Sequence, residues 1–149
     1  MMRVLFVCTG NSCRSPMAEL YFDDLCRRAG RADLEGASAG LFAFDGGRVS
    51  DSAGAVLAEL GIDSSRFRST RFTPAVAAEA SLIVPMTAAH RDAILEIAPG
   101  AADRTRLLLE FGGEGGDVPD PYGGGVDRYR RVFRMMKPAL ERLAETLMK

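Results

Sequence analysis

Three cysteines and one histidine are all the thiol and imidazole ligands this 149-residue chain possesses. Cys8, Cys13 and Cys26 are odd in number and crowd the N-terminal end, which is not the disulfide framework of a small secreted domain. Cys8 and Cys13 stand five apart and His90 has no ligand partner near it in sequence, so neither a metal nor another cofactor is expected. No apolar run approaches the ~20 residues of a membrane span. No charged-then-apolar leader precedes Cys8. A cytoplasmic protein without membrane contact is therefore expected. Charge of one sign is absent as well: nineteen basic and twenty acidic residues leave a formal net charge of −1, which speaks against bulk affinity for nucleic acid. There is no Gly-x-x-x-x-Gly-Lys, and neither glycine cluster, Gly112 to Gly116 or Gly123 to Gly125, joins a strand directly to a helix.

What is present is an alternation of strand and helix signals. Val4-Leu5-Phe6-Val7 is a continuous apolar run ending at Cys8, the pattern of a strand buried on both faces of a parallel sheet. A polar loop, Thr9 to Cys13, leads into a helix in which Pro16 suits the first turn. Met17, Tyr21, Leu25 and Ala29 recur there at helical spacing, and Gly30 marks the stop. Leu34 to Ser38 reads as a second strand. Ser50 or Asp51 caps a helix carrying Ala53, Val56, Leu57 and Leu60. Leu82-Ile83-Val84 is a third strand, Thr87 caps a helix ending before Pro99-Gly100, and Leu107-Leu108-Leu109 reads as a fourth strand. Val126, Tyr129, Phe133, Met136, Leu140, Leu143 and Leu147 trace one face of a last helix, in which Pro138 predicts a kink or break near residues 133–137. With no repeat and no linker, residues 1–149 read as one α/β domain, a parallel sheet with helices on both faces.

The chemistry concentrates in Cys8-Thr9-Gly10-Asn11-Ser12-Cys13-Arg14-Ser15. Ligands of open α/β sheets gather at the carboxyl ends of strands, where Cys8 lies. A tight turn running into a helix aims several backbone N–H groups at one point, and the helix terminus adds partial positive charge; together they bind an oxyanion. Gly10 and Asn11 best tolerate the left-handed backbone such a turn needs. Arg14 offers a planar fork to two phosphate oxygens. A helix terminus and a nearby cation favour the thiolate of a cysteine, so Cys8 is the candidate nucleophile, with Ser15 a possible hydrogen-bond donor to its sulfur. A phosphocysteine intermediate then needs a proton donor for the leaving group. Asp120, between Pro119 and Pro121 on a glycine-flanked loop, is the candidate acid and later base toward water.

These residues resemble the low-molecular-weight protein tyrosine phosphatases. The signature Cys, five residues, Arg, Ser near the N-terminus is matched by Val7 to Pro16, followed by Met17-Ala18-Glu19. The family's Asp-Pro-aromatic acid loop is matched by Asp120-Pro121-Tyr122. Ser38-Ala39-Gly40 and Met86-Thr87 also look like family positions. The resemblance implies a four-stranded parallel sheet in the order 2-1-3-4 and a phosphatase of phosphorylated proteins that acts on phosphotyrosine. In it Cys8 is nucleophile, Arg14 transition-state binder and Asp120 general acid, with Thr9 to Cys13 and Ser15 as the phosphate loop. Cys13 matches a position able to form a reversible disulfide with the nucleophile. Tyr122 and Phe42 are expected to wall the pocket. Two departures bear on substrate: Ser12 stands where many tyrosine-specific members carry a bulky aliphatic residue, and Gly123-Gly124 follows Tyr122 where a second aromatic is common. Bacterial protein-arginine phosphatases of the same family look similar at both places, although threonine is usual at the position of Ser12. A thiol-dependent arsenate reductase would need further cysteines after Cys26, and none occurs. A non-catalytic phosphoprotein-binding module would have no use for nucleophile, clamp and acid together. His90 is expected to be a helix-surface or satisfied residue, Cys26 a core residue, and the protein a monomer.

Overall fold

The computed structural model describes residues 1–149. Strand β1 (Met2–Cys8) is central, with β2 (Leu34–Gly40) on one side and β3 (Leu82–Pro85) on the other, all parallel. Helix α1 (Arg14–Arg28) crosses from β1 to β2. Helices α2 (Asp51–Glu59) and α3 (Pro74–Ala78) lie between β2 and β3, and α4 (Ala88–Ile97), α5 (Leu108–Phe111) and α6 (Val126–Met148) follow. Thr87 caps α4 by accepting from the His90 N–H at 3.0 Å, and Ser50 caps α2 by accepting from Ala53 at 3.3 Å.

The apolar run of β1 serves two cores at once, because successive side chains leave a strand on opposite faces. Val4, Phe6 and Cys8 join Met17, Phe22, Leu57, Met136 and Leu140 under α1, α2 and α6. Leu5 and Val7 join Phe72, Ala77, Ile83 and Ile94 under α3 and α4. The result is helix, sheet, helix, with the carboxyl end of β1 opening onto the loop of residues 9–13.

The sheet has three strands, order 2-1-3, and the fourth strand expected at Leu107 to Leu109 is not formed. Pairing reaches only as far as an isolated parallel bridge between Thr105 and Ile83, with the Arg106 N–H donating to the Ile83 carbonyl at 3.0 Å. The Glu110 carboxylate then accepts from the Leu107 N–H at 2.7 Å and turns the chain into α5. Leu108 is buried against α6 instead of in a sheet face. A short apolar run satisfies either packing, so hydrophobicity alone does not separate them.

Pro138 does not break α6, which runs unbroken from Val126 to Met148. Pro138 and Arg134 both lie on the exposed face of the helix, so the Arg134 carbonyl that loses its amide partner is open to water.

Candidate active site

Loop 9–13 is held open from both sides. Its conformation depends on Asn11, the one non-glycine residue with positive φ, at 53°. Asn11 is wholly buried, and both its amide protons and its amide oxygen are engaged. The Thr70 N–H donates to Asn11 Oδ1 at 2.8 Å, which fixes the orientation of the amide. Nδ2 then donates to Ser15 Oγ at 2.8 Å and to Ser38 Oγ at 2.9 Å. The Ser38 hydroxyl in turn donates to Glu19 Oε1 at 2.6 Å. Ser15 Oγ, already an acceptor from Asn11, has its hydroxyl proton free for Cys8 Sγ, 2.9 Å away. A buried polar chain thus runs from Glu19 through Ser38, Asn11 and Ser15 to the sulfur.

Gly40, at the end of β2, lets the loop sit down on the sheet. A Cβ there would lie 2.7 Å from the Thr9 carbonyl oxygen and 2.8 Å from the Asn11 nitrogen. The N–H groups of Gly10, Asn11, Ser12 and Cys13 donate to no protein acceptor. Helix α1 begins behind them with no side-chain cap and no acidic residue in its first turn. Unpaired amides, an uncapped helix terminus and a guanidinium make an anion-binding concavity.

Cys8, Thr9, Gly10, Ser12, Cys13, Arg14, Asp120 and Tyr122 line one hollow of about 290 Å³. Seven of these eight are the residues expected as nucleophile, clamp, acid or phosphate loop, and the eighth, Tyr122, is the expected pocket wall. Arg14 is 5 % exposed. Its Nη1 donates to the Val118 carbonyl at 2.9 Å, and its Nη2 lies 3.8 Å from Asp120 Oδ2. Val118 is itself pinned, its N–H donating to the Met86 carbonyl at 2.9 Å beyond β3. The acid loop is therefore tied to the sheet two residues before Asp120. Asp120 Oδ1 accepts from the Tyr122 N–H at 3.0 Å, an Asx turn that holds the carboxylate over the hollow.

Phe42 is placed differently from its expected part in the pocket wall. Its N–H donates to the Thr9 carbonyl at 2.9 Å, but its ring is 79 % exposed and outside the lining of the hollow. Cys13 faces away from the solvent, its sulfur 3.2 Å from the Tyr129 hydroxyl and 3.6 Å from Ser50 Oγ. Cys8, Cys13 and Cys26 are all free thiols, and Cys26 is a core residue.

His90 is not a surface residue. Its Nε2 is 2.8 Å from Thr9 Oγ1, and its Nδ1 is buried without a partner. Burial, then the charge of Arg14, pushes its pKa down to about 4, so the ring is neutral. Nothing in the spacing of Thr9 and His90 reveals this contact across 81 residues. Glu19, Ser38 and Val118 were equally silent as neighbours of the loop. Burial, reinforced by Asp23 and Glu35, pushes Glu19 up to about 7 against the hydrogen bond from Ser38.

The family model for low molecular weight phosphotyrosine protein phosphatase matches residues 3–149. The chain belongs to this family. Among solved structures, the low-molecular-weight protein tyrosine phosphatase of T. tengcongensis superposes with a TM-score of 0.92 at 39 % identity, covering 98 % of this chain and 99 % of that one. A protein-arginine-phosphatase of Geobacillus stearothermophilus is 40 % identical over 146 residues, 97 % of this chain and 95 % of its own length. The YwlE arginine phosphatase, solved as a cysteine-to-serine mutant with its active-site serine phosphorylated, superposes at a TM-score of 0.93 with 35 % identity, covering 99 % of this chain and 97 % of that one. As a family these phosphatases are hydrolases of phosphorylated proteins. No helix of this member is long and apolar enough to cross a membrane.

Proposed function

We propose that this protein hydrolyses phosphotyrosine in proteins through a phosphocysteine intermediate, as a single cytoplasmic domain that works as a monomer and needs no cofactor. One observation carries the reading: Cys8, Arg14 and Asp120 face the same 290 Å³ hollow, floored by loop amides with no protein acceptor. The phosphoryl oxygens sit on those amides and on the Arg14 fork, leaving phosphorus above Cys8. The Cys8 thiolate attacks phosphorus. As the S–P bond forms, the P–O bond to the tyrosyl oxygen breaks, and that oxygen takes the proton of Asp120. A water then attacks phosphorus, giving its proton to the Asp120 carboxylate. The S–P bond breaks, inorganic phosphate leaves, and the sulfur keeps the electron pair. The Ser15 hydroxyl donates to the sulfur in both the attacking and the departing state. Tyr122, 81 % exposed at the mouth, stacks on the substrate side chain.

A second reading, phosphoarginine, is favoured by Ser12. Its small hydroxyl replaces a hydrophobic wall in the hollow, and the protein-arginine-phosphatase of Geobacillus stearothermophilus is 40 % identical to this chain. The Tyr122 ring also stacks on a planar guanidinium. Cys13 has a proposed redox role: hydrogen peroxide oxidises Cys8 to the sulfenic acid with loss of water, and the Cys13 thiol displaces a second water to close a disulfide.

Hydrolysis of matched phosphotyrosine and phosphoarginine peptides, measured as phosphate release, tests the assignment. The wild-type protein is expected to hydrolyse the phosphotyrosine peptide, and Cys8→Ser neither. In Ser12→Ile the ratio should move further toward tyrosine. A wild-type enzyme that cleaves only phosphoarginine replaces the first reading by the second. An unchanged ratio in Ser12→Ile removes Ser12 as a specificity residue.

A further inference from the structure

Across Asp120 from the phosphate hollow lies a second one, of about 430 Å³, lined by Pro119, Asp120, Arg128, Arg131, Val132 and Met135. The two share Asp120, so whatever reaches from one into the other passes over the acid loop. Its two cations differ from the arginine that stands between them. Arg130, between them, is neutralised by Glu59 on one side and Asp127 on the other. Arg128 and Arg131, three residues apart on the same face of α6, are exposed, and neither guanidinium makes a hydrogen bond or ion pair. Two uncompensated like charges at that spacing repel each other until an anion comes between them. The chain as a whole is close to neutral, at −1, so this local excess is not a by-product of a basic composition.

The hollow is also shaped. Gly124 carries no side chain where the Arg128 stem lies against the acid loop; a Cβ there would stand 2.8 Å from Arg128 Nε and displace it. Val132, Pro119 and the half-exposed Met135 supply the apolar part of its lining. A carboxylate on a short aliphatic stem matches that combination, its methylenes on the apolar lining and its oxygens on the forks.

We propose that this hollow is a secondary substrate site that binds acidic side chains, glutamate above all, within a few residues of the phosphorylated residue. The proposal rests on the protein-phosphatase reading above and names which phosphoproteins are preferred. An extended peptide advances ~3.4 Å per residue. A side chain one to four positions from the phosphoresidue can therefore cross Asp120 while the phosphoryl group remains on Arg14.

The test uses two phosphotyrosine peptides that differ only in having Glu or Gln at the flanking positions. The readout is the ratio of their kcat/KM values on the intact protein. The Glu peptide should be preferred about fivefold at low ionic strength, with the preference fading as salt is added. An Arg128→Gln/Arg131→Gln double variant should bring the ratio to about one. A ratio near one in the wild type, or a preference that survives in the double variant, overturns the proposal. Should neither peptide be hydrolysed, the protein-phosphatase reading fails separately. Binding of the same two peptides to the Cys8→Ser protein, with and without the arginine changes, then decides the secondary site by the same criterion.

Discussion

At the scale of single residues, the site divides its labour by burial. Cys8 and Arg14 are almost wholly enclosed, whereas the Asp120 side chain is 56 % exposed. A nucleophile and a clamp gain from fixed geometry and excluded water. An acid that must meet leaving groups of different sizes, and later a water, gains from standing at the rim. Asp120 should therefore matter in proportion to how badly the leaving group needs a proton. In Asp120→Asn, kcat/KM for a phosphotyrosine peptide, which reports the leaving-group step and not the later hydrolysis of phosphocysteine, should fall about a hundredfold or more. The kcat/KM of p-nitrophenyl phosphate, whose leaving phenolate is weakly basic, should fall far less. Steady-state kinetics on the two substrates checks this; equal losses would mean that Asp120 positions the loop instead of donating a proton.

At the scale of elements, the phosphate loop is a strand end, a turn and a helix start held by a partner strand. Gly40 of β2 is where that support is tightest, since of the three atoms a Cβ would meet two are backbone and the third is the Ala43 Cβ, and none of them can swing away. Gly40→Ala should cost about 2 kcal/mol in urea unfolding and should also weaken inhibition by inorganic phosphate, because the loop must lift. Loss of stability with phosphate affinity intact would show that the loop is not seated through Gly40. The same element shows why some of the fold was legible in sequence and some was not. The β1 run, the Cys8 to Ser15 segment and the caps at Ser50 and Thr87 depend on neighbours in the chain, and local physics makes them readable. The expected strand at Leu107 to Leu109 depended on whether a fourth edge pairs beyond Thr105, and the Glu110 cap, not hydrophobicity, decides against it. Pro138 breaks nothing because its freed carbonyl faces water, and exposure is a property of the packed helix. His90 under Thr9 and Glu19 behind Ser38 are contacts across the fold, which spacing does not encode.

At the scale of the whole molecule, those hidden contacts set how stability follows pH. Glu19 and Asp23 lie half-buried between α1 and β2, and burial raises them from 4.5 and 3.8 to about 7 and about 6. The folded protein therefore holds protons that the unfolded chain has already released. From about pH 4.5 upward each carboxylate that ionises costs the folded state, and the loss is complete only above pH 7. His90 acts in the opposite direction. Its folded pKa of about 4 lies below the ordinary 6.5, so the unfolded chain takes up a proton first, and stability is lost as pH falls from 6.5 toward 4. Glu19→Gln keeps an acceptor for the Ser38 hydroxyl and removes the ionisation. Its stability relative to wild type should be nearly level at pH 4.5 and should rise to about 2 kcal/mol in its favour at pH 8. His90→Gln, which keeps a polar group for Thr9, should gain on wild type only on the acid side, below pH 6.5. Urea unfolding of the three proteins at half-unit pH steps separates the two. A Glu19→Gln advantage independent of pH would place the benefit in packing instead of ionisation, and would leave the buried chain from Glu19 to Cys8 electrically silent.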